Sequence, residues 1–101
     1  MHKLQYSELA VQDLFNIFEN IAKDKPNSAV DYISKLEEYI ELLENNPNMG
    51  VDCKIKNINQ NCQILIYEKY LIFYRVKESI VLIGRILHSS VNYQKTIRKF
   101  S

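Results

Sequence analysis

The stretch Tyr70–His88, YLIFYRVKESIVLIGRILH, leaves few folds open to this chain. It holds two apolar runs rich in β-branched and aromatic residues, Tyr70–Val76 and Ile80–His88, around the polar turn Lys77-Glu78-Ser79. That pattern predicts an antiparallel strand pair. A third run, Cys62–Tyr67, precedes it across Glu68-Lys69, which has the length of a tight hairpin turn. Neither turn carries the favoured Asn-Gly chemistry. Three short-linked strands make a sheet whose apolar faces must be covered by something else in the chain or by another molecule.

The first half supplies one cover. Lys3–Tyr6 reads as a short strand. Ser7 then fits an N-cap, with Glu8 in the first turn, where the helix dipole favours an acid. Val11, Leu14, Phe15, Phe18, Ile21 and Ala22 recur at helical spacing and form the expected buried face of a first helix. Lys23-Asp24-Lys25-Pro26-Asn27 breaks it, and Asn27 or Ser28 is the expected cap of a second helix. There Ala29, Tyr32, Ile33, Leu36, Tyr39, Ile40 and Leu43 form an apolar stripe, backed by Asp31, Lys35, Glu37, Glu38, Glu41 and Glu44. Asn45-Asn46-Pro47 ends it, since proline disfavours helix in the residue before it. From Pro47 to about Asn61 the chain is polar and irregular, with a short strand possible near Lys54. A short helix over Asn92–Phe100 closes the chain. The order predicts one α+β domain over 1–101: an N-terminal strand, an antiparallel helix hairpin on a mainly antiparallel sheet, and a short C-terminal helix.

Register can be read from the turns. Pairing Tyr67 with Tyr70 and Val76 with Ile80 puts Cys62, Ile64, Ile66, Leu71, Phe73, Arg75, Val81, Ile83 and Arg85 on one face. The other face takes Leu65, Tyr67, Tyr70, Ile72, Tyr74, Val76, Leu82, Gly84 and Ile86. Both faces are apolar, yet the helix hairpin covers only one. The second needs the C-terminal helix, a second copy or a partner chain. A partner is the favoured cover, since the tail helix is short. The expected partner-binding set is therefore Ile64, Ile66, Leu71, Phe73, Arg75, Ile83 and Arg85.

Composition excludes several functions. No apolar run nears the roughly 20 residues that span a bilayer. MHKLQYSELA has no apolar signal core, so the cytoplasm is expected. Two cysteines, Cys53 and Cys62, are too few for a disulfide scaffold and are expected as free thiols. Without a CxxC or clustered histidines, no metal or other cofactor is expected. Residues 1–50 carry four lysines against nine acids, and residues 51–101 nine Lys/Arg against three acids. The basic residues are dispersed, which argues against a nucleic-acid stripe. His88 and Tyr93, with Arg75 and Arg85, could form an acid/base and phosphate-stabilising group for RNA cleavage. The structural reading is stronger for His88, as a strand-end residue near the surface, and for Tyr93, as an anchor for the last helix. Pattern alone predicts a small partner-binding α+β domain.

The chain resembles the RelE/ParE toxin superfamily of type II toxin–antitoxin systems, and its ParE-like branch best. The resemblance rests on Asn46-Pro47-Asn48-Met49-Gly50 after the helix hairpin, on Tyr70–Val76, and on Ile83-Gly84-Arg85-Ile86-Leu87-His88. It implies a toxin neutralised by a small cognate antitoxin in a hetero-oligomer, with DNA contacted only through the antitoxin. RelE-like members cleave messenger RNA on the ribosome using basic residues on the sheet. The matching positions here fall near Cys62, Ile64, Leu71 and Ser90, which cannot stabilise a developing phosphate charge. ParE-like members instead poison DNA gyrase by binding it, and need no such residues. The resemblance thus implies a non-enzymatic gyrase inhibitor with no catalytic residues. The alternatives are a RelE-like ribonuclease using a relocated set (Lys54, Lys56, Arg75, Arg85, His88 and Tyr93) and a non-toxic antitoxin-binding member. ParE-like sequences often carry an Arg-Asp pair just after the Leu-His, where this chain has Val91 and Asn92.

Overall fold

A computed structural model describes residues 1–58 and 60–91. The tail helix expected over Asn92–Phe100 lies outside them. The element order is β1 (Lys3–Tyr6), α1 (Glu8–Asp24), α2 (Pro26–Glu41), a 3-10 turn (Leu42–Glu44), β2 (Val51–Asp52), a second 3-10 turn (Cys53–Lys56), β3 (Gln63–Tyr67), β4 (Tyr70–Lys77) and β5 (Ile80–His88). Among the described residues the strands form one five-stranded sheet, β1-β5-β4-β3-β2. β1 pairs with β5 in parallel, and the other neighbours are antiparallel. The α+β architecture is the one the sequence predicts.

Ser7 caps α1 as expected: its side chain accepts the Ala10 N–H at 3.0 Å, and Glu8 sits in the first turn. Lys25, not Asn27 or Ser28, is the N-cap of α2, with Pro26 in the first turn and no side-chain cap. Proline has no N–H to satisfy there and its fixed φ suits the first turn, so one of the unpaired donors a cap would serve is absent. The α2 stripe packs as its spacing predicts: Ala29, Leu36, Ile40 and Leu43 are buried, with Ile33 and Tyr39 against them.

The α1 face is rotated from the expected one. Ala10, Asp13 and Ile17 are the buried positions, with Leu14 and Ile21 packed beside them, whereas Val11 (55% exposed), Phe15 (49%) and Phe18 (36%) face outward. A buried carboxylate, Asp13, fixes this rotation.

The β4–β5 register also differs from the one read off the turns. Lys77 pairs with Ile80 and Val76 with Val81, so the loop is the two residues Glu78-Ser79. Glu78 takes φ 57°, a left-handed conformation that lets a turn this short close. That shift places Val81 and Ile83 on the helix side, in one cluster with Leu65, Ile72 and Tyr74. A bulge between Phe73 and Tyr74 absorbs Gly84, so that Phe73 pairs with Arg85 and Ile72 with Ile86. Beyond the bulge the faces return to the expected assignment.

The second face of the sheet is not left open. Cys53, Ile58 and Cys62 from the irregular segment form a buried cluster with Ile64, Leu71, Phe73 and Leu87. Cys53 and Cys62 are not free thiols: they form a disulfide across nine residues of sequence, with Cα atoms 5.4 Å apart. The approach is set by the β2–β3 pairs Val51↔Ile64 and Asp52↔Gln63 and by the Cys53 N–H donating to the Cys62 carbonyl at 3.1 Å. The loop before β2 is held by Tyr74. Its hydroxyl accepts the Gly50 N–H at 2.9 Å, and its proton faces Pro47 O at 2.9 Å and Gln63 Oε1 at 2.7 Å. A Cβ on Gly50 would lie 2.6 Å from the Ile64 carbonyl oxygen and 2.7 Å from that hydroxyl. The glycine of the Asn-Pro-x-x-Gly segment is therefore demanded by close backbone approach.

Candidate functional site

Arg85 is the candidate most changed by its surroundings. β1 ends at Tyr6 opposite Ile83, so among the described residues β5 has no strand neighbour on that side from Gly84 onward. α1 fills the space. The Ser7 hydroxyl donates to Gly84 O at 2.7 Å. Nearly two turns on, Asp13 accepts from Arg85 Nε at 2.8 Å, Arg85 Nη2 at 3.0 Å and the Ile86 N–H at 2.9 Å. The fork is bidentate and nearly buried, with the side chains 17% and 10% exposed. The bond to Asp13 raises the Arg85 pKa further, so the guanidinium is a fixed cation. It is engaged in holding α1 to β5. Asp13 was not singled out in the sequence, where a lone acid between Val11 and Leu14 looks like a solvated residue. Two signals could have marked it: Val11, Phe15 and Phe18 cannot be buried when Asp13 and Ile17 are, and Arg85 is a charge in an otherwise apolar strand.

The other candidates do not gather around Arg85. His88 pairs with Tyr70 at one end of β4, and Arg75 pairs with Leu82 towards the other. Six residues of β5 separate those points, roughly 20 Å at strand rise. Arg75 also alternates with Tyr74 and Val76, which pack with the helices, so it lies on the opposite face from them. It borders a cavity of about 630 Å³ with Asn48, Asn61, Gln63 and Lys77. Lys54 and Lys56 lie on the 3-10 turn after β2. His88 Nδ1 accepts the Ser90 N–H at 3.0 Å and is 2.7 Å from Ser90 Oγ. A neutral His88 therefore keeps its proton on Nε2. Tyr93 lies outside the described residues. No acid/base pair beside a phosphate-sized opening is formed by Arg75, Arg85 and His88. Among the described residues no group of three His, Cys, Asp or Glu could hold a metal ion, and no helix is long and apolar enough to cross a membrane.

The seven expected partner-binding residues divide three ways. Ile64, Leu71 and Phe73 are buried beneath the disulfide segment, and Ile83 is buried on the helix side. Arg75 and Arg85 are partly covered, and Ile66 alone stands out, at 45% exposed. The larger open apolar surface is the stripe Val11, Phe15 and Phe18, which share one side of α1 by their i, i+4, i+7 spacing. Sequence reasoning assigned that stripe to the core.

The family model described as "ParE toxin of type II toxin-antitoxin system, parDE" matches residues 4–93. Among solved structures, one described as "Chromosomal ParDE TA system from P. aeruginosa" superposes with a TM-score of 0.76, covering 87% of this chain and 96% of that one at 22% identity. At that identity the likeness is one of fold. No curated protein matches the sequence.

Proposed function

This chain belongs to the ParE toxin family of type II toxin–antitoxin systems, and we propose on that footing that it is a cytoplasmic toxin acting by direct binding to DNA gyrase and neutralised by a cognate antitoxin. The observation that carries the binding mechanism is the bidentate lock between Arg85 and Asp13. A ribonuclease would need that guanidinium to meet developing phosphate charge, where one donor is worth about 3 kcal/mol. Here it is turned into the fold, and Arg75 and His88 sit too far apart to replace it.

The antitoxin reading is supported by the open stripe on α1. Three large apolar side chains at helical spacing, half exposed, are the surface an amphipathic segment covers. Val11, Phe15 and Phe18 replace most of the sheet-face set as the proposed contact residues, and Ile66 remains from it. The toxin and antitoxin would form a hetero-oligomer, with DNA reached only through the antitoxin.

Expression without antitoxin tests the reading. Filamentation with a DNA-damage response is expected. Immediate translation arrest with cleaved messenger RNA would instead assign the ribonuclease alternative. Harmless expression together with tight antitoxin binding would identify a non-toxic member.

A further inference from the structure

A cavity of about 440 Å³ lies where β3 turns into β4, against the first turns of α2, and Tyr32, Tyr67, Tyr70, Asp31 and Glu68 line it. The three tyrosines are only partly covered. Tyr32 meets Tyr67 edge-on, with centroids 5.9 Å apart and planes at 83°, and meets Tyr70 at 6.1 Å and 74°. Each of those two rings has a support behind it: Tyr39 is 5.2 Å from Tyr67, and His88 is 5.4 Å from Tyr70. The rings are thus fixed relative to one another before any ligand arrives.

This corner sets a carboxylate beside aromatic rings. Aromatic faces carry the negative part of the ring quadrupole. The Tyr32 hydroxyl donates to Glu68 Oε1 at 2.8 Å, holding the carboxylate at the rim. Burial first, then Glu68, push the Tyr32 pKa well up, so that hydroxyl stays a neutral donor at any physiological pH. Glu68 sits in the left-handed region at φ 53°, a conformation costing a non-glycine residue about 1 kcal/mol or more. The bond to Tyr32 helps hold a turn that presents the carboxylate. Two lysines also border the cavity. Lys35 pairs with Asp31 at 3.2 Å, and Lys69 is an exposed turn residue on a flexible stem.

We propose that this cavity binds a guanidinium group, the arginine side chain of a protein partner. A guanidinium is planar, stacks on aromatic faces and pairs in a fork with a carboxylate. Glu68 and the three rings offer both contacts at once. An anion would have to displace Asp31 from Lys35 or rely on Lys69, with the Glu68 carboxylate at the same rim. The site lies at the β3–β4 end of the sheet and its lining includes none of the α1 stripe, so it stands whichever target the toxin has.

The test is a proton NMR titration of the purified full chain with acetyl-arginine amide, against acetyl-citrulline amide as an uncharged analogue of the same shape. The Tyr32, Tyr67 and Tyr70 ring signals, assigned from single Tyr→Phe variants, should shift saturably with arginine in the millimolar range. Citrulline should bind about tenfold more weakly, the equivalent of 1.4 kcal/mol. Glu68→Gln, an exposed change that leaves the rings in place, should weaken arginine binding roughly three- to tenfold and leave citrulline unaffected. An equal response to both probes overturns the proposal. So do shifts on tyrosines outside this trio, no saturable shift at tens of millimolar, or a Glu68→Gln variant that binds arginine as well as the parent.

Discussion

The two faces of the sheet are closed by opposite means. One is covered by α1 and α2, whose buried side chains repeat at helical spacing and meet Leu65, Ile72, Tyr74, Val81, Ile83 and Ile86. The other is covered by an irregular segment that, among the described residues, contributes Cys53, Ile58 and Cys62 to its cluster. A helix spreads its stabilisation over many van der Waals contacts, each small. An irregular segment has few such contacts and must be fastened at points. Here those points are the disulfide, the two-residue pairing with β3 and the Tyr74 hydroxyl on the Pro47–Gly50 loop. On the helix face the most buried fastening of that kind among the described residues is Asp13 on Arg85 and Ile86, with Ser7 on Gly84 and Tyr32 on Glu68 beside it.

The largest effect should come from breaking that fastening. Asp13→Ala leaves a nearly buried guanidinium and the Ile86 N–H without their acceptor, and should cost about 3–5 kcal/mol in urea unfolding. Asp13→Asn keeps an acceptor for Ile86 and should cost less. If Asp13→Ala proves neutral, packing and the Ser7 and Tyr32 bonds suffice to hold the helix face.

Reducing the Cys53–Cys62 bond tests the other cover. A loop of this length should lose about 2–3 kcal/mol by the chain-entropy argument. Thermal melts with and without reductant read the difference, and an unchanged melt would mean the pairs with β3 and Tyr74 suffice. The outcome bears on function, because reducing compartments keep such pairs as dithiols.

A smaller effect is expected in alkali. Burial, followed by Glu37, Glu41 and Glu44, raises the Tyr6 pKa from 10.0 to about 12. The native state then holds a proton that the unfolded chain releases. Stability from this source is whole below pH 10 and is lost as pH rises towards about 12. Its size is on the order of 1–2 kcal/mol, since the ring is partly covered. Tyr6→Phe should flatten that part of the pH profile.

The least effect on stability belongs to the α1 stripe. Phe15→Ser should change unfolding by no more than about 0.5 kcal/mol, as exposed substitutions usually do. It should nevertheless weaken antitoxin binding by about tenfold or more, the loss of a large apolar contact. A full-strength complex with Phe15→Ser would move the docking surface elsewhere.

The regular parts of the fold were legible and the fastened parts were not. β1, α1, α2 and the three long strands follow from spacing, turns and breakers, because periodic burial writes itself into sequence. Asp13 escaped because one carboxylate among apolar residues gives no period; its burial rotates α1 and turns Val11, Phe15 and Phe18 outward. The disulfide escaped because two cysteines nine residues apart in a polar loop carry no motif. The β5 faces were displaced between Val81 and Ile83 because Glu78 closes a shorter turn than expected, and the bulge at Gly84 undid the slip before Arg85. The candidate site suffered most: a sheet face judged open is covered by the segment with the least pattern.

The central claim is that this toxin acts by gripping a protein rather than by cutting RNA. The direct measurement places the purified chain in a gyrase supercoiling assay and, in parallel, on translating ribosomes. The account predicts stoichiometric loss of supercoiling activity and intact messenger RNA. Cleaved messenger RNA with unaffected gyrase would contradict it.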